Sequence, residues 1–385
     1  MIPYGRHDIA DEDIEEVKKI LHSDFLTQGP MVPKFEKSVV DYCGSSYAVA
    51  VNSATSALHI ACLALDLKPN DFLWTSPNTF VASANCGLYC GANVDFVDID
   101  PKTYNLSVEA LSKKLQKAEK LGVLPKIVVP VHFAGQPCDM AGIYKLSKKY
   151  GFKIIEDASH AIGASYSKNK VGSCKHSDIT VFSFHPVKII TSAEGGMAMT
   201  NDANLASRLR RLRNSGISYD KKIIKEKPSD EIWNYQQIDL GFNYRMNDIQ
   251  AALGLSQLKR IDKYLSRRHE IAERYDSELK NSNIQKPWQL PNTYSSYHLY
   301  PICIKQKESK KTQKYVFNLL KKNNIAANLH YIPVYLQPFY HSKTFKRGYC
   351  LNAEIYYKST VSIPIYYGLS HEDQSNVINV ISNLL

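Results

Sequence analysis

The stretch Val181-Phe182-Ser183-Phe184-His185-Pro186-Val187-Lys188-Ile189-Ile190-Thr191, closed by Glu194-Gly195-Gly196-Met197, decides how the rest of the chain is read. An apolar, aromatic run of strand length leads into a polar cluster. One lysine sits at its end, and a glycine pair follows. This order suggests a lysine held at the mouth of a parallel sheet, where loops build active sites. A lysine that is dry and tightly flanked can lose its proton and act as a nucleophile toward carbonyls. Most lysines are instead solvated on the surface, so the functional reading of Lys188 needs support from elsewhere in the chain.

Working outward from that stretch, strands and helices alternate. Strands are predicted at 47–51, 72–75, 94–99, 126–131, 153–157, 179–184 and 196–200. Helical spacing is predicted at 11–22, from Val32 through Val40, at 58–65, 77–89, 107–121, 140–150 and 205–214. The pattern implies an α/β fold, a mostly parallel sheet wrapped on both faces by helices. A long helix is expected over 249–279, bridging to a smaller part with strands near 297–304 and 326–329 and helices near 311–323 and 371–384. At 385 residues the chain accommodates one large and one small domain. The division expected is 1–255 and 256–385.

Three features of the alternating region carry chemistry. Asn52-Ser53-Ala54-Thr55-Ser56-Ala57 is a small-residue turn between strand and helix. Such a turn lets backbone N–H groups and hydroxyls approach an anion, although the same residues also cap helices. Asp157, in Glu156-Asp157-Ala158-Ser159-His160, ends its strand on the side where ligands bind in such sheets; it could equally cap a turn. Phe80 adds a flat aromatic face in the loop after another strand. An anion turn, an aromatic, a strand-end acid and a lysine in this order suit a pyridoxal phosphate site, since that cofactor uses a lysine for its Schiff base and a carboxylate for its ring nitrogen.

These segments, together with Gly241-Phe242-Asn243-Tyr244-Arg245, resemble the sugar nucleotide aminotransferases of fold type I over nearly the whole chain. The run His185-Pro186-Val187-Lys188-Ile189-Ile190-Thr191 with Glu194-Gly195-Gly196, and the run from Asn52 to His59, are most similar to the branch acting in pseudaminic acid synthesis. That branch aminates UDP-4-keto-6-deoxy-N-acetyl-L-altrose type sugars at C4. The resemblance implies a fold type I PLP-dependent transferase with a smaller α+β C-terminal domain. It assigns Lys188 as the catalytic Schiff-base lysine and Asp157 as partner of the ring nitrogen, with Phe80 on the ring. Ala54, Thr55 and Ser183 would hold the phosphate. His160 stands where many relatives have glutamine beside the phenolic oxygen. Asn243 would reach the cofactor phosphate of a neighbouring subunit. Tyr4, the loop Asp24, Phe25, Leu26 and Thr27, His185, and the stretch His330, Tyr331, Ile332 and Pro333 would face the sugar nucleotide. The cofactor implied is pyridoxal 5′-phosphate, alternating with pyridoxamine 5′-phosphate. The partners implied are a UDP-sugar, glutamate with 2-oxoglutarate, and a second copy of the chain in a homodimer with shared sites.

Three rivals remain. Sugar dehydratases of this family replace the Schiff-base lysine with histidine, and Lys188 argues against that reaction. An aminotransferase for another sugar, of N-acetylbacillosamine or perosamine type, keeps every motif. A basic DNA-binding regulator is motivated by the net charge of +11 and by Arg208, Arg210, Arg211 and Arg213 on one helix. No helix-turn-helix or zinc spacing supports it, and a solvated basic face explains the helix, so no nucleic-acid partner is expected. The polar, lysine-rich run 221–229 reads as a surface excursion. No apolar stretch is long enough to span a bilayer, and no signal-peptide core follows the first residues. The eight cysteines are scattered; Cys86 and Cys90 have helical spacing that suits buried free thiols better than a metal site. A reduced, cytoplasmic protein without metal or membrane association is expected.

Overall fold

The computed structural model describes residues 1–220, 224, 233–280, 283–305, 312–340 and 345–382. Seven strands form the central sheet: β1 (Tyr47–Val51), β2 (Phe72–Thr75), β3 (Asn93–Phe96), β4 (Ile127–Val129), β5 (Lys153–Asp157), β6 (Ile179–Ser183) and β7 (Gly196–Thr200). Their spatial order is β1-β7-β6-β5-β4-β2-β3. All run parallel except β7, which is antiparallel to both neighbours. Strand β6 is buried throughout, as expected for a strand covered on both faces. Alternation sends Phe182 into one apolar core with Met197 and Phe35, and Ile179 and Val181 into another with Ala198 and Leu58.

The helices around the sheet are α1 (Asp11–Leu21), α2 (Met31–Cys43), α3 (Ala54–Ala64), α4 (Ala82–Tyr89), α5 (Val108–Leu121), α6 (Met140–Tyr150) and α7 (Ala203–Arg213). Helix α4 starts at Ala82, not at Pro77, because Pro77 to Val81 forms an irregular entry beside the site. The expected long helix is two: α8 (Asp248–Leu258) and α9 (Ile261–Glu278). The break falls at Arg260, outside helical φ/ψ, whose guanidinium donates to Asp13 and to Tyr264 Oη. The boundary expected at 255/256 lies inside α8.

Beyond α9, the strands β8 (Ile284–Gln285), β9 (Tyr300–Ile304) and β10 (Thr360–Ile363) form a small antiparallel sheet. With α10 (Gln313–Lys322), α11 (Leu351–Ser359) and α12 (His371–Ser382) they complete the C-terminal part. It has its own apolar core, which also takes in Ile2 from the chain start. The strand expected at 326–329 is only one bridge, Asn328 to Ser362. Helix α11 and strand β10 escaped the sequence reading. The lysine-rich run 221–229 lies outside the described residues apart from 224. On the basic helix α7, Arg208 pairs with Asp66 at 2.7 Å, Arg211 with Asp239 at 2.8 Å and Arg213 with Glu36 at 2.6 Å.

Candidate active site

Strands β1, β2, β4, β5 and β6 end on one edge of the sheet, and the loops that leave them enclose a cavity of about 840 Å³. This is the edge at which open α/β sheets bind ligands. Of the residues assigned from the sequence, Tyr4, Ala54, Thr55, Phe80, Asp157, His160, Ser183, His185, Lys188, His330 and Tyr331 all line it.

Lys188 follows the end of β6 in a tight turn, its N–H bonded to His185 O at 2.9 Å. Desolvation pulls its ammonium down to about 8, with the Asp157 carboxylate opposing that shift. Such a lysine holds a minority of free amine at neutral pH. Asp157 is buried at the end of β5. Ser83 Oγ, from α4, donates to it at 2.6 Å and the Ser159 N–H at 3.1 Å. Ser83 is joined to Thr79 Oγ1 at 2.7 Å. The neighbouring acid plays a different part. Strand alternation turns Glu156 to the opposite face, where His132 Nε2 at 2.7 Å, Thr180 Oγ1 at 2.9 Å and Ser177 hold it. Two adjacent carboxylates thus divide into one facing the cavity and one fixed behind the sheet.

At the start of α3, Ser53 caps the helix by accepting from the Ser56 N–H at 3.1 Å. Among the described residues, the N–H groups of Ala54 and Thr55 have no acceptor within the chain. They are free to meet an anion. Gly196 on β7 allows this turn to close against the sheet, because a Cβ there would stand 2.5 Å from the Ser53 and Ala54 backbone. Ser183, also on the cavity wall, adds a hydroxyl. The donor set suits pyridoxal 5′-phosphate: two free N–H groups and hydroxyls for its phosphate, a buried, hydrogen-bonded carboxylate for its ring nitrogen, and a lysine with a depressed pKa for its aldehyde. Phe80 is 60% exposed at the cavity rim.

The wall opposite the sheet ends is rich in histidine. Ala134 N–H donates to His160 Nδ1 at 3.3 Å, which leaves the proton on Nε2, 3.3 Å from Tyr331 Oη. His298, which the sequence reading did not single out, packs its ring 4.4 Å from that of His160. His330 Nδ1 meets Ser362 Oγ at 2.9 Å. Burial, with the charge of Lys188 adding to it, pulls His330 down to about 3 and holds His160 well below the usual histidine range; His298 is depressed likewise. These rings are neutral at physiological pH and serve as hydrogen-bonding groups. Burial raises the Tyr331 phenol, so it keeps its proton.

The remaining assigned residues lie elsewhere. Asp24, Phe25, Leu26 and Thr27 form an exposed loop between α1 and α2. It is tied to the start of α8, where Asp248 accepts from the Gly29 and Met31 N–H groups at 2.8 Å each, while Leu26 O accepts from Asp248 N–H at 3.0 Å. Asn243 is exposed in the segment bridged to Asn214. Ile332 and Pro333 follow Tyr331 away from the cavity lining. Besides His298, the sequence reading passed over Ser83, Gln250 and Asn328, and it quoted Glu194 without giving it a role; all of these but Ser83 line the cavity. Ser83 had one available signal, a hydroxyl four residues after Thr79 in the first turn of the helix.

Comparison with known proteins agrees with this geometry. A curated relative, the UDP-4-amino-4,6-dideoxy-N-acetyl-beta-L-altrosamine transaminase of Campylobacter jejuni, is 36% identical over 392 residues, covering 100% of this chain and 98% of its own. The spore coat polysaccharide biosynthesis protein SpsC of Bacillus subtilis is 37% identical over 389 residues, covering 100% of this chain and 97% of its own. Among solved structures, Helicobacter pylori PseC, an aminotransferase involved in the biosynthesis of pseudoaminic acid, superposes with a TM-score of 0.89 at 32% identity, covering 99% of this chain and 98% of that one. Enzymes of this kind use pyridoxal phosphate, and similar solved structures include both its aldehyde and its amine form. Residues 7–382 match the DegT/DnrJ/EryC1/StrS aminotransferase family, and the chain belongs to that family, as a PLP-dependent sugar aminotransferase of fold type I.

Proposed function

We propose that this protein moves an amino group from glutamate to C4 of a UDP-4-keto-6-deoxy-N-acetylhexosamine, giving UDP-4-amino-4,6-dideoxy-N-acetyl-β-L-altrosamine, a precursor of pseudaminic acid. The observation that carries the reaction class is Lys188 with its depressed pKa, facing Asp157 across a cavity whose third side is the Ala54–Thr55 turn. The full-length similarity to the C. jejuni transaminase supports the choice of sugar. SpsC, named for spore coat polysaccharide biosynthesis, is as similar, so a second reading, in which the 4-amino sugar is of another type, stands beside the first.

Pyridoxal phosphate held here would supply an electron sink to the carbon that loses or gains the amine. Asp157, held by Ser83 and Ser159, keeps the ring nitrogen protonated, and that protonation makes the sink effective. The Ala54 and Thr55 N–H groups and Ser183 anchor the phosphate. Lys188, as free amine, would hold and move the proton at the carbon that loses or gains the amine, first in glutamate and then in the sugar. His160 Nε2–H and Tyr331 Oη offer neutral donors beside it. His185, Tyr4 and His330 face the sugar, and burial with the rest of the site keeps water out.

Asn243 and the loop from Asp24 to Thr27 act in a neighbouring subunit's site. Their surroundings support a homodimer. A short hairpin pairs Ile217–Ser218 with Gln236–Gln237. On and around it Tyr219 is 61% exposed, Trp233 72% and Leu240 80%, and Phe25 on the substrate loop is 54% exposed. Large apolar side chains so exposed favour a protein interface, and obligate homodimers bury wide apolar faces.

The deciding experiment offers the pure, PLP-loaded protein a panel of UDP-4-keto sugars with glutamate and identifies the product by NMR. A C4 amine with altro configuration is expected. A different stereochemistry selects the second reading, and no amine on any 4-keto sugar sinks both.

A further inference from the structure

Behind the cavity floor, on the far face of the sheet, lies a buried polar cluster that no step of the proposed reaction uses. Its members are Glu156 on β5, Thr180 on β6, Ser177 just before β6, and His132 in the loop that leaves β4. His132 and Glu156 are both buried. The Cys138 N–H donates to His132 Nδ1 at 3.1 Å, which leaves the proton on Nε2, 2.7 Å from Glu156 Oε2. The other carboxylate oxygen, Oε1, accepts from Thr180 Oγ1 at 2.9 Å and from Ser177 Oγ. Burial works against the Glu156 charge, but the hydrogen bonds from His132, Ser177 and Thr180 outweigh it and hold the carboxyl below its ordinary range. For stability alone, a buried carboxylate is a costly way to fill a core, since an apolar group of similar volume often does as well or better.

His132 also holds Asp157, through its main chain. Its N–H donates to Asp157 O at 3.0 Å, and the Asp157 N–H donates to Pro130 O at 2.9 Å. From the other side, the Ala158 N–H donates to Val181 O at 2.9 Å. The end of β5 is thus joined to the loop after β4 twice along the main chain, and a third time through the His132 and Glu156 side chains. On the cavity side the Asp157 carboxylate is met by Ser83 Oγ and the Ser159 N–H, and its direction is otherwise set by its own backbone. We propose that His132 and Glu156 are positioning residues for Asp157: their bond behind the sheet locks the loop after β4 to the end of β5 and so fixes how the Asp157 carboxylate enters the cavity. This rests on the proposed role of Asp157 as partner of the cofactor's ring nitrogen. Neither positioning residue touches the cofactor or the sugar; both act through the strand end they clamp.

The test measures binding of 4′-deoxypyridoxine 5′-phosphate to the cofactor-free, full-length protein by calorimetry. This analogue keeps the ring nitrogen and the phosphate but has no aldehyde, so Lys188 does not capture it. His132→Asn retains an acceptor near the Nδ1 position for Cys138 and removes the donor to Glu156, whereas His132→Gln places an amide N–H near the Nε2 position. His132→Asn should weaken binding about tenfold, the worth of one well-aimed hydrogen bond to a charged group, and His132→Gln should restore most of the loss. On an Asp157→Ala background, His132→Asn should cost almost nothing further, because no carboxylate remains to be aimed. His132 is packed in the core, so Thr180→Val, which loosens Glu156 from its other side, is the second variant. It should weaken binding less than His132→Asn does, and it decides alone if His132→Asn does not fold. Unchanged affinity with a lowered melting temperature would leave the cluster a part of the scaffold only and overturn the proposal. Equal losses with and without Asp157, or a Gln variant no better than the Asn one, would overturn it too. Binding weakened by Asp157→Ala but not by the cluster variants sinks the positioning pair alone; binding unchanged by Asp157→Ala removes the role of Asp157 itself, and the pair with it.

Discussion

The cavity floor and the face carrying Asn243 are built on opposite principles. On the floor, Asp157 and Ser183 each end a strand of one sheet, Ala54 opens the helix three residues after β1, and Lys188 follows in the loop after β6. Parallel order brings them together within a single chain. The groups there are polar and well enclosed, and the acid is held by short hydrogen bonds. The other face gathers the loop from Asp24 to Thr27, the hairpin with Tyr219 and Trp233, and Asn243. It is exposed and apolar. The floor groups come together when one chain folds; under the proposed function, the other face would be covered by a second copy.

The largest effect should come from the floor. Lys188→Ala should lower turnover by about four orders of magnitude or more, because nucleophile and proton carrier are lost together. The wild-type protein should be yellow with cofactor and bleach on borohydride, with the reduced adduct on Lys188 by mass spectrometry. An adduct on another lysine would remove Lys188 from its role. Next in size is Asp157→Asn, which should cost about 10²- to 10³-fold in kcat with the fold intact by circular dichroism. Near-normal turnover would mean that another group partners the ring nitrogen.

The comparison itself is broken or sharpened by mixing subunits. Lys188→Ala and Asn243→Ala chains, inactive or weak alone, should recover about a quarter of wild-type sites after exchange at equal amounts, since half of the dimers are mixed and each mixed dimer has one intact site. With exchange verified by mass, no recovery would put Asn243 outside the neighbour's site.

A smaller effect concerns stability. The folded pKa of Lys188 is about 8 against 10.5 for the ordinary side chain. The unfolded chain therefore binds the extra proton between those values, and stability of the cofactor-free protein rises with pH across that window. Below pH 8 the charged amine in a dry site is a cost. Lys188→Met should relieve it by about 2 kcal/mol at pH 7, after discounting for partial solvent access. The gain should shrink as pH approaches 10.5. Chemical denaturation of both proteins at pH 7 and pH 10 measures this; an equal difference at the two pH values would show that Lys188 is not desolvated. Smallest of all, Ser83→Ala removes one hydrogen bond to a carboxylate, about 1.5–3 kcal/mol if fully expressed. It should lower kcat about tenfold without changing the KM for glutamate.

Much of this was readable from the chain alone because its signals are local. Strands β1, β2, β5 and β7 fall at the residues read from the sequence, each being a short apolar run between turn residues. Asp157 was likewise read at a strand end, and Lys188 and the Ala54–Thr55 turn in the segments that follow strands; all line the cavity, and where a strand ends is a property of neighbouring residues. Signals that depend on remote partners were missed. The apolar periodicity of 249–279 runs on unbroken, yet the helix stops at Arg260, which is drawn to Asp13 almost 250 residues earlier. His298 and Asn328 enter the cavity only because the C-terminal part packs over the sheet edge.

Period-2 and period-3.6 apolar patterns determined the α/β alternation, and chemistry carried within short motifs determined which cofactor the chain suits. Those properties depend on residues a few positions apart, and any reading of the chain has access to them. Tertiary structure decided the antiparallel insertion of β7 and the separation of Glu156 from Asp157 onto two faces of one strand. It also decided the neutral histidine wall and the depressed pKa of Lys188. Each of these is set by burial and by partners distant in the chain, and burial is a property of the packed whole.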